Sequence, residues 1–391
     1  MTTLLWQPQL PDSYHALSDE ALKSQILAAK QKLGSDLVIL GHHYQQDQVI
    51  QFADFTGDSF KLSQLAAQEV QKNNAKYVIF QGVHFMAESA DILTPESVSV
   101  ILPDLGAGCS MADMADYDMT IDAWNQITAV IDTNQTRLIP ICYMNCTAAI
   151  KAFCGEHGGA VCTSSNADAI IAWALQGGDT PLLPNQKVKI LFIPDQHLGR
   201  NTAAKAGFNT DTDMAIWDPQ SHQPLAGLNP ETINRVTFLL WKGHCSVHKL
   251  FRPEHIDQIR QEYPNITVIA HPECSYQVCQ KADSTGSTEG IINAIRNAKQ
   301  GDQFAIATEV HLVNRLKIQA EKRGVFVRML SSCQCLCTTM YRIDLPHMLY
   351  ILDNLLQGKV QNQITVHPTA KAQALLSLNR MLDITAAASK A

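Results

Sequence analysis

The chain has 391 residues, 46% of them hydrophobic and 17% charged, with a formal net charge of −7. That length suits two or three domains rather than one core, and an acidic excess without any basic block argues against a nucleic-acid partner. No apolar run reaches the roughly 18 residues of a membrane span, and the N-terminus lacks the charged and apolar regions of a secretory signal, so a cytoplasmic location is expected.

The first predicted element is a helix capped by Ser18, with Leu22, Ile26, Ala29 and Leu33 on one stripe and Gly34 just past its end. Short apolar runs then recur at 36–40, 76–82, 98–102, 137–143, 188–194, 235–241, 266–271, 303–308 and 325–330. They are mostly β-branched and continuous rather than alternating, which is the pattern of parallel strands buried on both faces. Helices are predicted over 59–72, 164–175 and 289–299. The segments 144–160 and 205–234 read as loop-rich, and 346–391 as a helical tail with a frayed end. The fold class is therefore α/β, with nine strands in three groups of three.

Polar residues follow nearly every run: HHYQ after 36–40, GVHFMAE after 76–82, YMNC at the end of 137–143, PDQHLGRN after 188–193, KGHCSVH after 235–241 and HPEC at 271–274. Ligands of open α/β sheets collect beyond the carboxyl ends of the strands, so these ends are expected to converge on one site.

Eleven cysteines in a reducing compartment do not imply a disulfide framework. Cys142 and Cys279, in apolar contexts, read as small buried hydrophobes. Cys109 in GAGCSMAD, Cys245 in WKGHCSVH and one member of the cluster Cys333, Cys335, Cys337 lie in loops after strands, one in each third of the chain. Three dispersed thiolates without any C-x-x-C pair suit an iron–sulfur cluster with one open iron better than a closed structural zinc site, although zinc stays open as an alternative.

The stretches GHHYQ (41–45), GDSFKLS (57–63), GVHFMAESADIL (82–93), AGCSMAD (107–113), YMNCTAAIKAFC (143–154), VCTSSNA (161–167), PDQHLGRNTA (194–203), LWKGHCSVH (240–248), HPEC (271–274), GSTEGI (286–291), ATEVHL (307–312) and Cys337-x-x-Met340 make the specific case. In this order the chain resembles the quinolinate synthases, iron–sulfur enzymes of NAD biosynthesis. The resemblance implies three pseudo-symmetric αβα domains with short parallel sheets around a central [4Fe–4S] cluster. The segments would be 1–118, 119–249 and 250–345, with 346–391 as a helical tail packed on the body. It implies condensation of iminoaspartate with dihydroxyacetone phosphate to quinolinate, with loss of phosphate and water. The open iron of the cluster would act as a Lewis acid. Cys109, Cys245 and Cys337 are the implied ligands, Cys337 through the C-x-x-M pattern. A functional link to an iminoaspartate-producing oxidase or dehydrogenase is implied too, in a monomer or homodimer.

The remaining motifs suit those substrates. Turns carrying Ser59, Ser164 and Thr288 open predicted helices, and free N–H groups there can hold anionic groups; the bland alternative is that these residues are only helix caps. Tyr44, His271 and Glu273 are the expected catalytic residues, with Glu273 as general base. His42, Tyr143 and Asn145 are expected to bind substrate. His43, His84 and His197 are read as shaping the pocket, and Glu88 as either chemical or structural. Two departures stand out. Glu289 puts an acid beside the proposed anion site of Thr288, and Cys333 and Cys335 crowd the third ligand as spare thiols, a redox pair or alternative ligands.

Overall fold

The structure, a computed structural model, describes residues 7–332 and 335–388. The chain forms two compact units. Unit 1 comprises the described residues up to Cys109 with Glu309–Arg315 and Leu336–His367; unit 2 comprises Ser110–Thr308, Leu316–Cys335 and the residues from Pro368 onward.

Unit 1 holds one sheet, made of β1 (Leu37–His42), β2 (Phe55–Gly57), β3 (Tyr77–Gln81) and β4 (Ser99–Ile101), in the order β4-β3-β1-β2. These strands are parallel, and a two-residue strand, Gln363–Ile364, pairs antiparallel with β4. All six residues of β1 are buried, as expected of a parallel strand covered on both faces. The helix Asp19–Leu33 begins where Ser18 accepts a hydrogen bond from the Ala21 N–H. It buries Leu22, Ile26 and Ala29 and stops at Gly34, whose φ of 53° favours glycine. It packs on the helix Leu345–Leu356.

Unit 2 holds two all-parallel sheets. The first contains β5 (Thr136–Tyr143), β6 (Ala160–Cys162), β7 (Lys187–Ile193), β8 (Met214–Trp217) and β9 (Phe238–Trp241), ordered β6-β5-β7-β9-β8. The second contains β10 (Thr267–Ala270), β11 (Ser284–Thr285), β12 (Gln303–Ala307) and β13 (Phe326–Met329), ordered β11-β10-β12-β13. All three sheets therefore share one plan. The nine runs read from the sequence supply three adjacent strands to each, and a short strand that follows the first run in the chain pairs on its outer side.

One expectation needs correction. The segment 144–160 is not mainly loop: Ala148–Glu156 is a helix with most of its residues buried. A β-carbon on Gly155 would lie 1.9 Å from the Gln373 carbonyl oxygen, so this glycine admits the helix Pro368–Ala388. Ser377 Oγ donates to the Lys151 carbonyl at 2.7 Å along the same contact. The segment 205–234 is loop-rich as expected, interrupted by β8 and the start of the helix Pro230–Arg235. The helical reading of the tail holds over Leu345–Leu356 and Pro368–Ala388, whereas the last three residues lie outside the described ones. No helix among the described residues is long and apolar enough to cross a membrane.

Candidate functional site

The shared sheet plan puts chemically similar residues at matching positions. The first long strand of each sheet ends in a pair two residues apart: His42 and Tyr44 at β1, Tyr143 and Asn145 at β5, His271 and Glu273 at β10. The short second strands β2, β6 and β11 lead to Ser59, Ser164 and Thr288. The strands β4, β9 and β13 lead to Cys109, Cys245 and Cys337. After β7 and β12 come Asp195-x-His197 and Glu309-x-His311, with one geometry. Asp195 Oδ1 accepts the His197 N–H at 2.7 Å, and Glu309 Oε2 accepts the His311 N–H at 2.7 Å. The second Asp195 carboxylate oxygen is buried with no hydrogen-bond partner among the described residues, whereas the Glu309 carboxylate also meets the backbone N–H of Cys337.

In unit 2 the acid–base residues converge on Glu273, which is 3% exposed. His248 Nδ1 lies 2.6 Å from Glu273 Oε2, and the Tyr143 side chain hydrogen-bonds the same carboxylate. Burial opposes ionisation of Glu273, but the charge and hydrogen bond of His248, the neighbouring His271 and Tyr143 together bring its pKa down to about 2. Burial, and then the Glu273 charge, push Asp195 well above the usual carboxylate range. Two buried acids are thus shifted in opposite directions, Glu273 toward its ionised form and Asp195 toward its protonated form, the kind of separation that divides acid from base. Burial and then His248 lower His271 to about 3, so its ring is neutral. The His271 loop is tied down by Asn201 Nδ2, which donates to Pro272 O at 2.8 Å and Cys274 O at 2.9 Å. The Asn145 and Asn201 side-chain oxygens are buried with no partner among the described residues, as polar atoms awaiting a ligand would be.

In unit 1, His42 Nδ1 accepts the Tyr44 N–H at 3.2 Å, and the two rings meet edge to face at 4.8 Å. Their loop is fixed by Arg315, which bonds the carbonyls of His43 and Gln45 at 2.9 and 2.6 Å and Asp47 at 2.6 Å. His84 and Glu88 stand 3.8 Å apart one helical turn from each other, a loose local pair.

The three anion-site candidates are not the residues that cap their helices. Asp58 accepts the Lys61 N–H ahead of Ser59, Asn166 stands at the cap position beyond Ser164, and Ser287 accepts the Gly290 N–H ahead of Thr288. None of the three therefore stands at the cap position that the bland reading assigned to it. Glu289 lies in the first turn of Thr288–Arg296, where an acid suits the helix dipole. In unit 2 the two helix starts border a cavity of about 440 Å³, whose lining includes Ser164, Asn201, Lys205, Pro272, Gly286 and Ser287.

Exposure sorts the cysteines. Of the ten described, Cys109, Cys245 and Cys337 are half-buried and the others, Cys142, Cys279 and Cys335 among them, are buried. Half-burial thus sets the three cysteines at matching strand positions apart from the other described ones; Cys335 is buried, and Cys333 lies outside the described residues. Cys245 also stands with His248 and Glu273 so that their donor atoms lie within 4.8 Å of one another, a set able to hold a metal ion. His248, Asp195, Asn201 and Glu309 were not singled out from the sequence. All four nonetheless sit in KGHCSVH, PDQHLGRN and ATEVHL, the polar stretches that follow strands.

The family model described as quinolinate synthetase A protein matches residues 24–383. The quinolinate synthase of Acidobacterium capsulatum is 50% identical over 373 residues, covering 95% of this chain and 95% of that protein. Those of Geobacillus thermodenitrificans and Rhodopirellula baltica are 49% and 46% identical; the alignments cover 96% and 95% of this chain and 96% and 93% of the relatives. The chain therefore belongs to the quinolinate synthase family and is an enzyme of NAD biosynthesis.

Proposed function

We propose that the enzyme condenses iminoaspartate with dihydroxyacetone phosphate, releasing phosphate and water to give quinolinate. The observation that carries this reading is the unit 2 cavity, where two helix N-termini and Lys205, set among Asp168 and Asp283, offer donors beside the loop that bears His271 and Glu273. Both substrates are anionic, and about 440 Å³ suits small metabolites.

Glu273, ionised and hydrogen-bonded on both flanks, is the general base. His271, neutral with its proton on Nε2, donates to substrate oxygen. Tyr143 and Asn145 hold a carboxylate or oxyanion, and Ser164 and Thr288 hold anionic groups through their helix starts. In unit 1, Tyr44 is assigned to protonating oxygen, His42 to substrate binding and Ser59 to the third anion position. Cys109, Cys245 and Cys337 are the proposed ligands of a [4Fe–4S] cluster, supported by their matching strand positions and half-burial. That cluster would supply an open iron acting as a Lewis acid toward a substrate oxygen. Three αβα domains, 1–118, 119–249 and 250–345, with 346–391 as a tail, suit the three sheets. The reading further places the enzyme in the cytoplasm, as a monomer or homodimer, beside an oxidase or dehydrogenase that makes the unstable imine.

The test is to supply iminoaspartate and dihydroxyacetone phosphate to anaerobically purified protein and measure quinolinate and phosphate together. Equal amounts of both are expected. Absence of quinolinate from protein carrying full iron and sulfide would refute the reading.

A further inference from the structure

We propose that Thr385, on the C-terminal helix, is a positioning residue that sets the Asn166 amide and, through it, the turn that presents Ser164. The proposal rests on the reading of Ser164 as a residue that binds substrate.

The turn 163–166 joins β6 to the helix Ala167–Leu175 and closes on Asn166, which is 2% exposed. Asn166 Oδ1 accepts the Thr163 N–H at 2.6 Å and the Thr163 hydroxyl at 3.1 Å, and the Asn166 N–H returns to the Thr163 carbonyl at 3.2 Å. With its one proton given to Asn166, the Thr163 hydroxyl accepts from Ser165 Oγ at 2.9 Å. Of three consecutive hydroxyls this network takes up two and leaves out the middle one, Ser164, which borders the unit 2 cavity.

The Asn166 amide can serve the turn in only one orientation, with its oxygen toward Thr163. Its nitrogen then meets the helix Pro368–Ala388, where Nδ2 donates to Thr385 Oγ1 at 2.9 Å. Thr385 Oγ1 gives its own proton to the Met381 carbonyl at 2.6 Å, so toward Asn166 it can only accept. A residue 219 positions along the chain therefore selects the amide orientation on which the turn depends. The same helix backs the neighbouring strand end: Ser377 Oγ donates to the Lys151 carbonyl, and Lys151 Nζ donates to the carbonyl of Cys146, next to Asn145.

Apolar packing alone could seat this helix, and Ala374, Leu378 and Met381 supply it from buried positions. Thr385 is only half-buried. What its hydroxyl adds is one acceptor aimed at one amide. A turn set in advance binds an anionic group without having to be ordered at that moment, so loosening it weakens affinity and leaves the chemical step alone.

The experiment compares Thr385→Val, Thr385→Ser, Ser164→Ala and the double variant Thr385→Val/Ser164→Ala in the full chain, with rates expressed per cluster from iron and sulfide content. Thr385→Val, close in shape but without the acceptor, should raise KM for the same substrate as Ser164→Ala, about 3- to 10-fold, with kcat unchanged. A merely structural loss would lower the active fraction, and so kcat, without moving KM. Thr385→Ser should restore the wild-type KM. The double variant should match Ser164→Ala within about twofold. Unchanged KM in Thr385→Val while Ser164→Ala is impaired would overturn the role of Thr385. So would Thr385→Ser as impaired as Thr385→Val, or a double variant showing the product of the single losses. Wild-type kinetics in Ser164→Ala would instead overturn the reading of Ser164 on which the proposal rests.

Discussion

His271 Nδ1 accepts the backbone N–H of Glu273 at 3.3 Å, so the proton of this neutral ring sits on Nε2. His42 makes the same contact with the Tyr44 N–H at 3.2 Å. Two strand ends thus use a single backbone bond to aim an N–H donor.

The first prediction concerns pH. The unfolded chain protonates His271 near its ordinary 6.5, but burial holds the folded value at about 3. The unfolded state therefore binds more protons between these values. The stability contributed by His271 is complete above pH 6.5 and is lost progressively as pH falls toward 3. Urea unfolding midpoints at pH 7 and pH 5 should show a smaller drop in His271→Asn than in the wild type.

Helix starts separate binding from stability. Ser287→Ala removes the cap on Gly290 N–H and should cost about 1 kcal/mol in chemical denaturation. Ser164→Ala and Thr288→Ala should instead raise KM or lower kcat/KM, about tenfold or more if a charged partner is lost, with iron content retained. Kinetic constants unchanged in both would remove these residues from the substrate site.

Gly155 and Gln373 test the seating of the tail helix. A methyl group at Gly155 would meet the Gln373 carbonyl oxygen at 1.9 Å, and both neighbours are backbone of packed helices. Gly155→Ala should destabilise by about 1–3 kcal/mol, read from a lower urea midpoint at unchanged slope.

The nine strands at the predicted runs were legible because those runs are continuous, mostly apolar and β-branched, with glycine or polar punctuation. The short strands were not: β11 and Gln363–Ile364 have two residues each, too few for any period to register. Ala148–Glu156 was hidden by Gly155, since a close helix contact and a loop signal look alike in one dimension. Tyr44, Tyr143, His271 and Glu273 could be named because they lie in polar motifs at strand ends. The place of His248 depends on contacts with Glu273, His271 and Thr308, residues 23 to 60 positions away in the sequence, and local pattern carries no trace of such pairings.

The central claim is that three half-buried thiols, and not their buried neighbours, hold the metal centre. It is tested most directly by iron and acid-labile sulfide content per chain after anaerobic preparation of single cysteine variants. Cys109→Ser, Cys245→Ser and Cys337→Ser should each lose most of the cluster, while Cys335→Ser keeps wild-type content. Full cluster content in Cys337→Ser, or its loss in Cys335→Ser, would contradict the account.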